Sequence, residues 1–293
     1  MRKFLLKIGI YSAGCFLVFN LIAFLSLSFL GKSNFYKPQF VKNGVEENSF
    51  DYAVLGSSTG LTTLDTKLID SLSGKKGLNI SMDDSSLSSH YLMLQYFYSI
   101  GKKTDCLVLA VTPWDLSNEN PGLNNNDYRF LSYVQEDCVS DYYKNIESGF
   151  FKKLWLSKYF PIIGVSYYNT ELFYPSLVSI IQPKKRNQFD NKGNYSYPNL
   201  GSPKKKKEEV LQIEFKNPYF DKIKKFCDER KITLILYQSP IYCTTAVFEN
   251  NTESKIINHS NLFLNSDLFF DNIHVNKKGR ELCSQKVASI LKY

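Results

Sequence analysis

Two short stretches at opposite ends of the chain carry residue types suited to nucleophilic chemistry. The first is "YAVLGSSTGL" (residues 52–61), where an apolar run stops on Gly56, Ser57 and Ser58. The second is "FFDNIHVN" (residues 269–276), where Asp271 stands three residues before His274. A serine hydroxyl is a weak nucleophile until an imidazole takes its proton, and the imidazole can do so only in one tautomer. The three-residue spacing lets the Asp271 carboxylate accept a hydrogen bond from Nδ1 of His274, leaving Nε2 as general base. The predicted set is Ser58 as nucleophile, His274 as its base and Asp271 as orienter. The chain has three histidines; His90 falls on a predicted helix face and His259 in a loop, and neither is assigned chemistry. Asp83 and Asp84, in "DDSS", are read as partners of a helix N-terminus rather than as acids or metal ligands.

Separate elements must bring these residues together. Past a linker at residues 32–48, strand patterns ("DYAVLGSS", "GLNI", "TDCLVLAVTPWD", "ITLILYQSP") alternate with helical ones. The helix in "NPYFDKIKKFCDERK" opens on the cap Asn217, and the final helix opens on the cap Asn276. Such alternation predicts an α/β domain with a parallel sheet, whose ligands bind beyond the carboxyl ends of the strands. A serine directly after the first strand lies at that edge. Residues 115–208 break the rhythm with Tyr-, Asn- and Lys-rich sequence, an insertion too long for an ordinary crossover. It begins at the end of a central strand, so it is expected either to cover the site as a lid or to stand as a solvent-facing elaboration.

Composition narrows the class. At 43% hydrophobic and 15% aromatic, the 293 residues bury a substantial core, which excludes a disordered or coiled-coil chain. The net charge of +8 is spread over Lys-rich loops such as "PKKR" (183–186) and "PKKKKEE" (203–209). These read as solvated loops, and no nucleic-acid partner is expected. The six cysteines show no C-x-x-C pair and no His cluster nearby, so neither a metal nor a cofactor is expected. At the N-terminus, Arg2, Lys3 and Lys7 precede an apolar run at residues 8–30, long enough to span a bilayer; a secretory signal has a shorter apolar region, although Ser26 and Ser28 offer a small-x-small cleavage site as the alternative. Residues 1–31 are therefore expected to be an uncleaved signal anchor. Lys32, Lys37 and Lys42 follow the run, so charge alone does not orient it.

In this order and setting, the first-strand "GSS" and the near-terminal D-x-x-H before the last helix resemble the SGNH or GDSL hydrolase superfamily. Gly56, Ser57 and Ser58 stand where that family has Gly-Asp-Ser, which makes Ser58 the nucleophile and its backbone N–H an oxyanion donor. The likeness covers residues 51–99, 104–115 and 217–293, and implies a three-layer α/β/α, flavodoxin-like domain over 49–293, interrupted by the insertion. The "LGSS" turn, the N-terminal apolar helix and the "VTPWD" block are similar to the membrane-anchored cell-envelope branch, whose members serve O-acetylation of surface polysaccharides and D-alanylation of teichoic acids. That likeness implies a single-pass membrane protein with its domain outside the cytoplasm, in the periplasm or at the cell surface. It further implies a serine esterase or O-acyltransferase acting on acyl, chiefly acetyl, esters of cell-surface glycans. A multi-pass membrane acyltransferase is the implied partner, and a non-catalytic scaffold or glycan-binding subunit of such a partner is the alternative. The family's further oxyanion donors are a Gly N–H and an Asn side chain. Here "NISMDD" offers Asn79 or the Ser81 N–H for the first, and "TPWDLSNEN" offers Asn118 or Asn120 for the second.

Overall fold

The computed structural model describes residues 1–120, 122–146, 153–249 and 255–292. The chain forms two compact units: Gly44–Asn126 with Asn187–Tyr293, and Met1–Asn43 with Asp127–Arg186.

The larger unit is mixed α/β. Strands β1 (Tyr52–Gly56), β2 (Gly77–Asn79), β3 (Cys106–Val111), β4 (Thr233–Gln238) and β5 (Lys255–Asn258) make a five-stranded sheet in the order β2-β1-β3-β4-β5. Every pairing in it is parallel. Val54, Val108, Ile235 and Tyr237 pack against Ile69 of the helix Thr66–Ser73 and against Cys283 and Val287 of the helix Lys277–Leu291. Their alternates Ala53, Leu55, Leu107, Leu109 and Leu236 are buried as well. Successive strand side chains point to opposite faces, so both faces are covered, which explains why these strands read as continuous apolar runs. β2 and β3 flank β1, and the carboxyl end of β1 is therefore the switch point where open α/β sheets bind ligands. β5, in "KIIN", lies outside the strands read from sequence, as does the parallel pair Glu209–Ile213 with Thr244–Phe248.

The smaller unit is helical. Its helix Arg2–Leu30 is long and apolar enough to cross a membrane. Residues 32–48 differ from the expected linker, because they include the helix Lys37–Asn43 with Tyr36, Phe40 and Val41 buried. The Gln39 amide there donates to the Leu30 carbonyl and to the Ser176 hydroxyl, both at 3.0 Å. The insertion is likewise divided. Its middle, Asp127–Arg186, folds with the N-terminal helix, while its tail belongs to the larger unit. The main element of the middle is the helix Ile162–Ile181, kinked at Tyr168.

Candidate active site

β1 ends on Gly56 against Ala110 of β3. A Cβ at Gly56 would lie 2.6 Å from the Ala110 carbonyl oxygen, and one at Gly60 would lie 2.7 Å from Ser81 Oγ and 3.0 Å from Ala110 Cβ. Two glycines four apart thus let the short helix Ser58–Thr63 start hard against the sheet. Ser57 takes the cap position, with its Oγ sharing a hydrogen bond of 3.2 Å with Thr59 Oγ1. The first of the two hydroxyls is engaged in the turn. The second, on Ser58, opens the helix, whose first N–H groups have no intrahelical partner.

The imidazole arrives from the other end of the chain. Asn276 caps the helix Lys277–Leu291, its Oδ1 accepting the N–H groups of Lys278 (3.0 Å) and Gly279 (3.2 Å). That helix is tied to the segment after the nucleophile turn. Arg280 pairs with Asp65 at 3.0 Å, and the Asp65 N–H donates to Ser284 Oγ at 2.8 Å. Ahead of the cap, Asp271 Oδ1 accepts the backbone N–H groups of Ile273 (2.9 Å) and His274 (2.8 Å), which folds the D-x-x-H segment into a tight turn. His274 Nδ1 lies 2.9 Å from Asp271 Oδ2, and Nε2 lies 2.8 Å from Ser58 Oγ. Burial pushes the Asp271 carboxyl up, but the hydrogen bonds from His274 and from the Ile273 N–H outweigh it and hold the group below its ordinary value. An ionised Asp271 only accepts, so Nδ1 carries the proton and Nε2 faces Ser58 as an acceptor.

The other expected residues are placed differently. Asn79 is buried, and its amide donates to the Gly60 carbonyl (3.0 Å) while its Oδ1 accepts the Ser81 N–H (3.0 Å). The Asn79 amide thus braces the helix Ser58–Thr63, and the Ser81 N–H is taken up by Asn79. Asn118 and Asn120 are exposed, and Asn118 Oδ1 takes the Asn120 N–H at 3.1 Å. Among the described residues, no hydrogen bond joins either to the Ser58, His274 and Asp271 set. The helix expected at "DDSS" starts later, at Leu87, with Ser86 at its cap. Asp83 instead accepts the Asn126 amide on its carbonyl (2.9 Å) and on Oδ2 (3.2 Å), and Asp84 has a left-handed φ of 47°. His90 is buried beside Ser85 Oγ at 3.2 Å, and His259 sits 3.3 Å from the Tyr237 hydroxyl. Burial lowers their pKa values to about 3 and about 4, which leaves both neutral near pH 7.

Two neighbours of the site escaped the sequence reading. Tyr197, from the tail of the insertion, stacks on Phe270 with ring centroids 4.2 Å apart and stands 5.1 Å from the His274 ring. Nothing in its Tyr- and Asn-rich surroundings singles it out. For Asp115 a signal exists, because "TPWD" has the spacing of a capping box. Thr112 Oγ1 donates to Asp115 Oδ2 (2.8 Å) and accepts its N–H (3.2 Å). Burial pushes the Asp115 carboxyl up to about 6 against the downward pull of those bonds. Asp115 and Asp84 line a cavity of about 390 Å³. The loop that supplies Asp84 begins at Met82, whose N–H donates to the Gly56 carbonyl at 3.0 Å, directly beside the nucleophile turn. Among the described residues, no group of three or more His, Cys, Asp or Glu side chains is clustered to hold a metal ion. Comparison with protein-family models and with curated proteins returns no match.

Proposed function

We propose that the chain is a membrane-anchored serine esterase or O-acyltransferase with a three-layer SGNH-type domain, acting outside the cytoplasm on acyl, chiefly acetyl, esters of cell-surface glycans. The observation that carries this reading is the unbroken relay from Ser58 Oγ through His274 to the Asp271 carboxylate. Its position at the carboxyl end of β1, the switch point of the sheet, supports it further.

The chemistry follows from the geometry. Ser58 Oγ attacks the ester carbonyl carbon and its proton passes to His274 Nε2, while Asp271 stabilises the imidazolium. Charge on the carbonyl oxygen is met by the N–H groups that open the helix Ser58–Thr63. Collapse breaks the ester bond, and the departing alkoxide takes the proton from Nε2, leaving an acyl group on Ser58. The oxygen of water, or of an acceptor glycan hydroxyl, then attacks the acyl carbonyl carbon and gives its proton to Nε2; the bond from Ser58 Oγ to the acyl group breaks, and Oγ takes the proton back from Nε2. A multi-pass membrane acyltransferase is the proposed source of acyl groups when the reaction runs as transfer.

One observation favours a second reading, a membrane-tethered, non-catalytic scaffold or glycan-binding partner. Asn79 and the Ser81 N–H are tied up internally, and each absent oxyanion donor costs about 10²–10³ in rate. A serine-directed fluorophosphonate separates the two. The enzyme reading expects covalent labelling of the full chain that vanishes in Ser58→Ala. The scaffold reading expects a folded protein that does not label.

A further inference from the structure

The helix Arg2–Leu30 is not exposed evenly. Phe16, Asn20, Ala23, Leu27 and Leu30 recur at helical spacing and form one stripe along it. Ala23, Leu27 and Leu30 are buried, and the Phe16 ring lies 5.5 Å from that of Phe160. Asn20 Nδ2 donates to the Tyr159 carbonyl and Asn20 Oδ1 accepts the Ile162 N–H, both at 3.3 Å. A polar residue in the middle of an apolar run is thereby explained. It supplies the cap that Pro161 cannot give the helix Ile162–Ile181.

These contacts fix how far the smaller unit descends along its anchor. From Leu30 back to Phe16 is about 21 Å of helix at 1.5 Å per residue. A bilayer hydrocarbon core is about 30 Å thick, or about 20 residues. If Arg2, Lys3 or Lys7 marks one surface of that core, the other falls between residues 22 and 27, on the far side of Asn20. Tyr159, Phe160 and Pro161, level with Phe16 and Asn20, therefore stand below it. Their exteriors fit that depth: Tyr159 is 63% exposed and Phe160 40%. At the same level a groove of about 450 Å³ runs between anchor and insertion. Leu17, Leu21 and Phe24 give it a hydrocarbon wall, and Gln135 and Lys158 a polar one. Lys158 Nζ is held 2.7 Å from Asp137 Oδ1, and Asp137 is largely exposed. A cation and an anion side by side above an apolar wall match a zwitterionic headgroup above its acyl chains.

We infer that this helical unit is a collar seated in the leaflet on the domain's side of the membrane, and that its groove binds an amine-headed phospholipid. The lipid phosphate meets Lys158 and Gln135, its ammonium meets Asp137, and an acyl chain lies along Leu17, Leu21 and Phe24. This inference rests on the membrane-anchored reading above and adds an embedded lipid site to it.

The test uses the full chain in vesicles of phosphatidylethanolamine and phosphatidylcholine, with Trp114→Phe and Trp155→Phe removing the native indoles and Tyr159→Trp adding a reporter. Chain-brominated phosphatidylethanolamine is expected to quench most of the Trp emission, and aqueous iodide little of it. Asp137→Asn should abolish the preference for brominated phosphatidylethanolamine over brominated phosphatidylglycerol, because it removes the partner of the ammonium, and Asp137→Glu should keep it. Quenching by iodide alone, in protein that still floats with vesicles, overturns the collar and leaves the anchor standing. Protein that does not float with vesicles overturns both. Equal quenching by the two lipids, or a preference unchanged in Asp137→Asn, overturns the headgroup site.

Discussion

Of the two hydroxyls after Gly56, only that of Ser58 meets the imidazole, because Ser57 spends its own on Thr59. Ser58→Ala and His274→Ala are each expected to lower hydrolysis of a small acetyl ester by about 10⁴–10⁶-fold, with the double variant no worse than either. Asp271→Asn should cost about 10⁴-fold through the wrong tautomer, and Ser57→Ala should leave steady-state rates largely intact. If Ser57→Ala were inactive and Ser58→Ala active, the nucleophile would be misassigned by one residue. The relay was legible because it depends on residue type, spacing and strand order, all of which a sequence displays. Asn79 shows the limit of that legibility: its polarity and position were visible, but its bond to the Gly60 carbonyl is a property of packing. Tyr197 was invisible for a related reason, since ring stacking on Phe270 follows no periodic pattern.

The element that carries Ser58 is held by close approach to the sheet. Gly56→Ala would drive a Cβ into the Ala110 carbonyl, which cannot yield as a side chain tip would. Overpacking of this kind costs about 1–3 kcal/mol. The expected outcome is a lower denaturation midpoint together with reduced fluorophosphonate labelling, because the displaced helix carries Ser58. Asp115 makes a pH-dependent contribution. Its folded pKa of about 6 is above the unfolded value, so between about pH 4 and pH 6 the folded state holds more protons than the unfolded. Stability is thus fully present below that window and falls as pH rises through it, by at most about 3 kcal/mol. Denaturant titrations of Asp115→Asn should lose this slope, and an unchanged slope would assign it to another group. At this scale, β1, β3 and β4 were readable because strands buried on both faces leave apolar runs. β5 was not, since four residues bounded by Lys255 and Asn258 carry too little pattern.

At the scale of the whole molecule, the chain alternates between its two units, leaving the smaller after Asn43 and returning to it at Asp127. No local pattern announces that return. The insertion was recognisable by its broken rhythm, yet its partner, an apolar helix that ends at Leu30, far upstream in the sequence, could be found only in three dimensions. The consequence is that residues 1–30, long and apolar enough to span a membrane, also complete the core of the smaller unit. Leu131 and Leu154 are fully buried in the unit that the helix completes, and the Tyr133 hydroxyl donates to the Gly31 carbonyl at 2.7 Å. The main sheet core, by contrast, is drawn from the larger unit alone, from Tyr52 to Ala288. A chain lacking residues 1–30 should therefore lose cooperative unfolding of residues 127–186 and expose them to protease, while Ser58 still labels with fluorophosphonate. Asn20→Leu is the subtler version, because it raises the hydropathy of the anchor while removing the cap of the helix Ile162–Ile181. It should lower the stability of the smaller unit by about 1 kcal/mol without releasing the protein from membranes. Hydrogen exchange read separately over 127–186 and over the sheet strands checks both variants. Equal loss of protection in the two regions would mean that the chain unfolds as one body and that the anchor stabilises all of it.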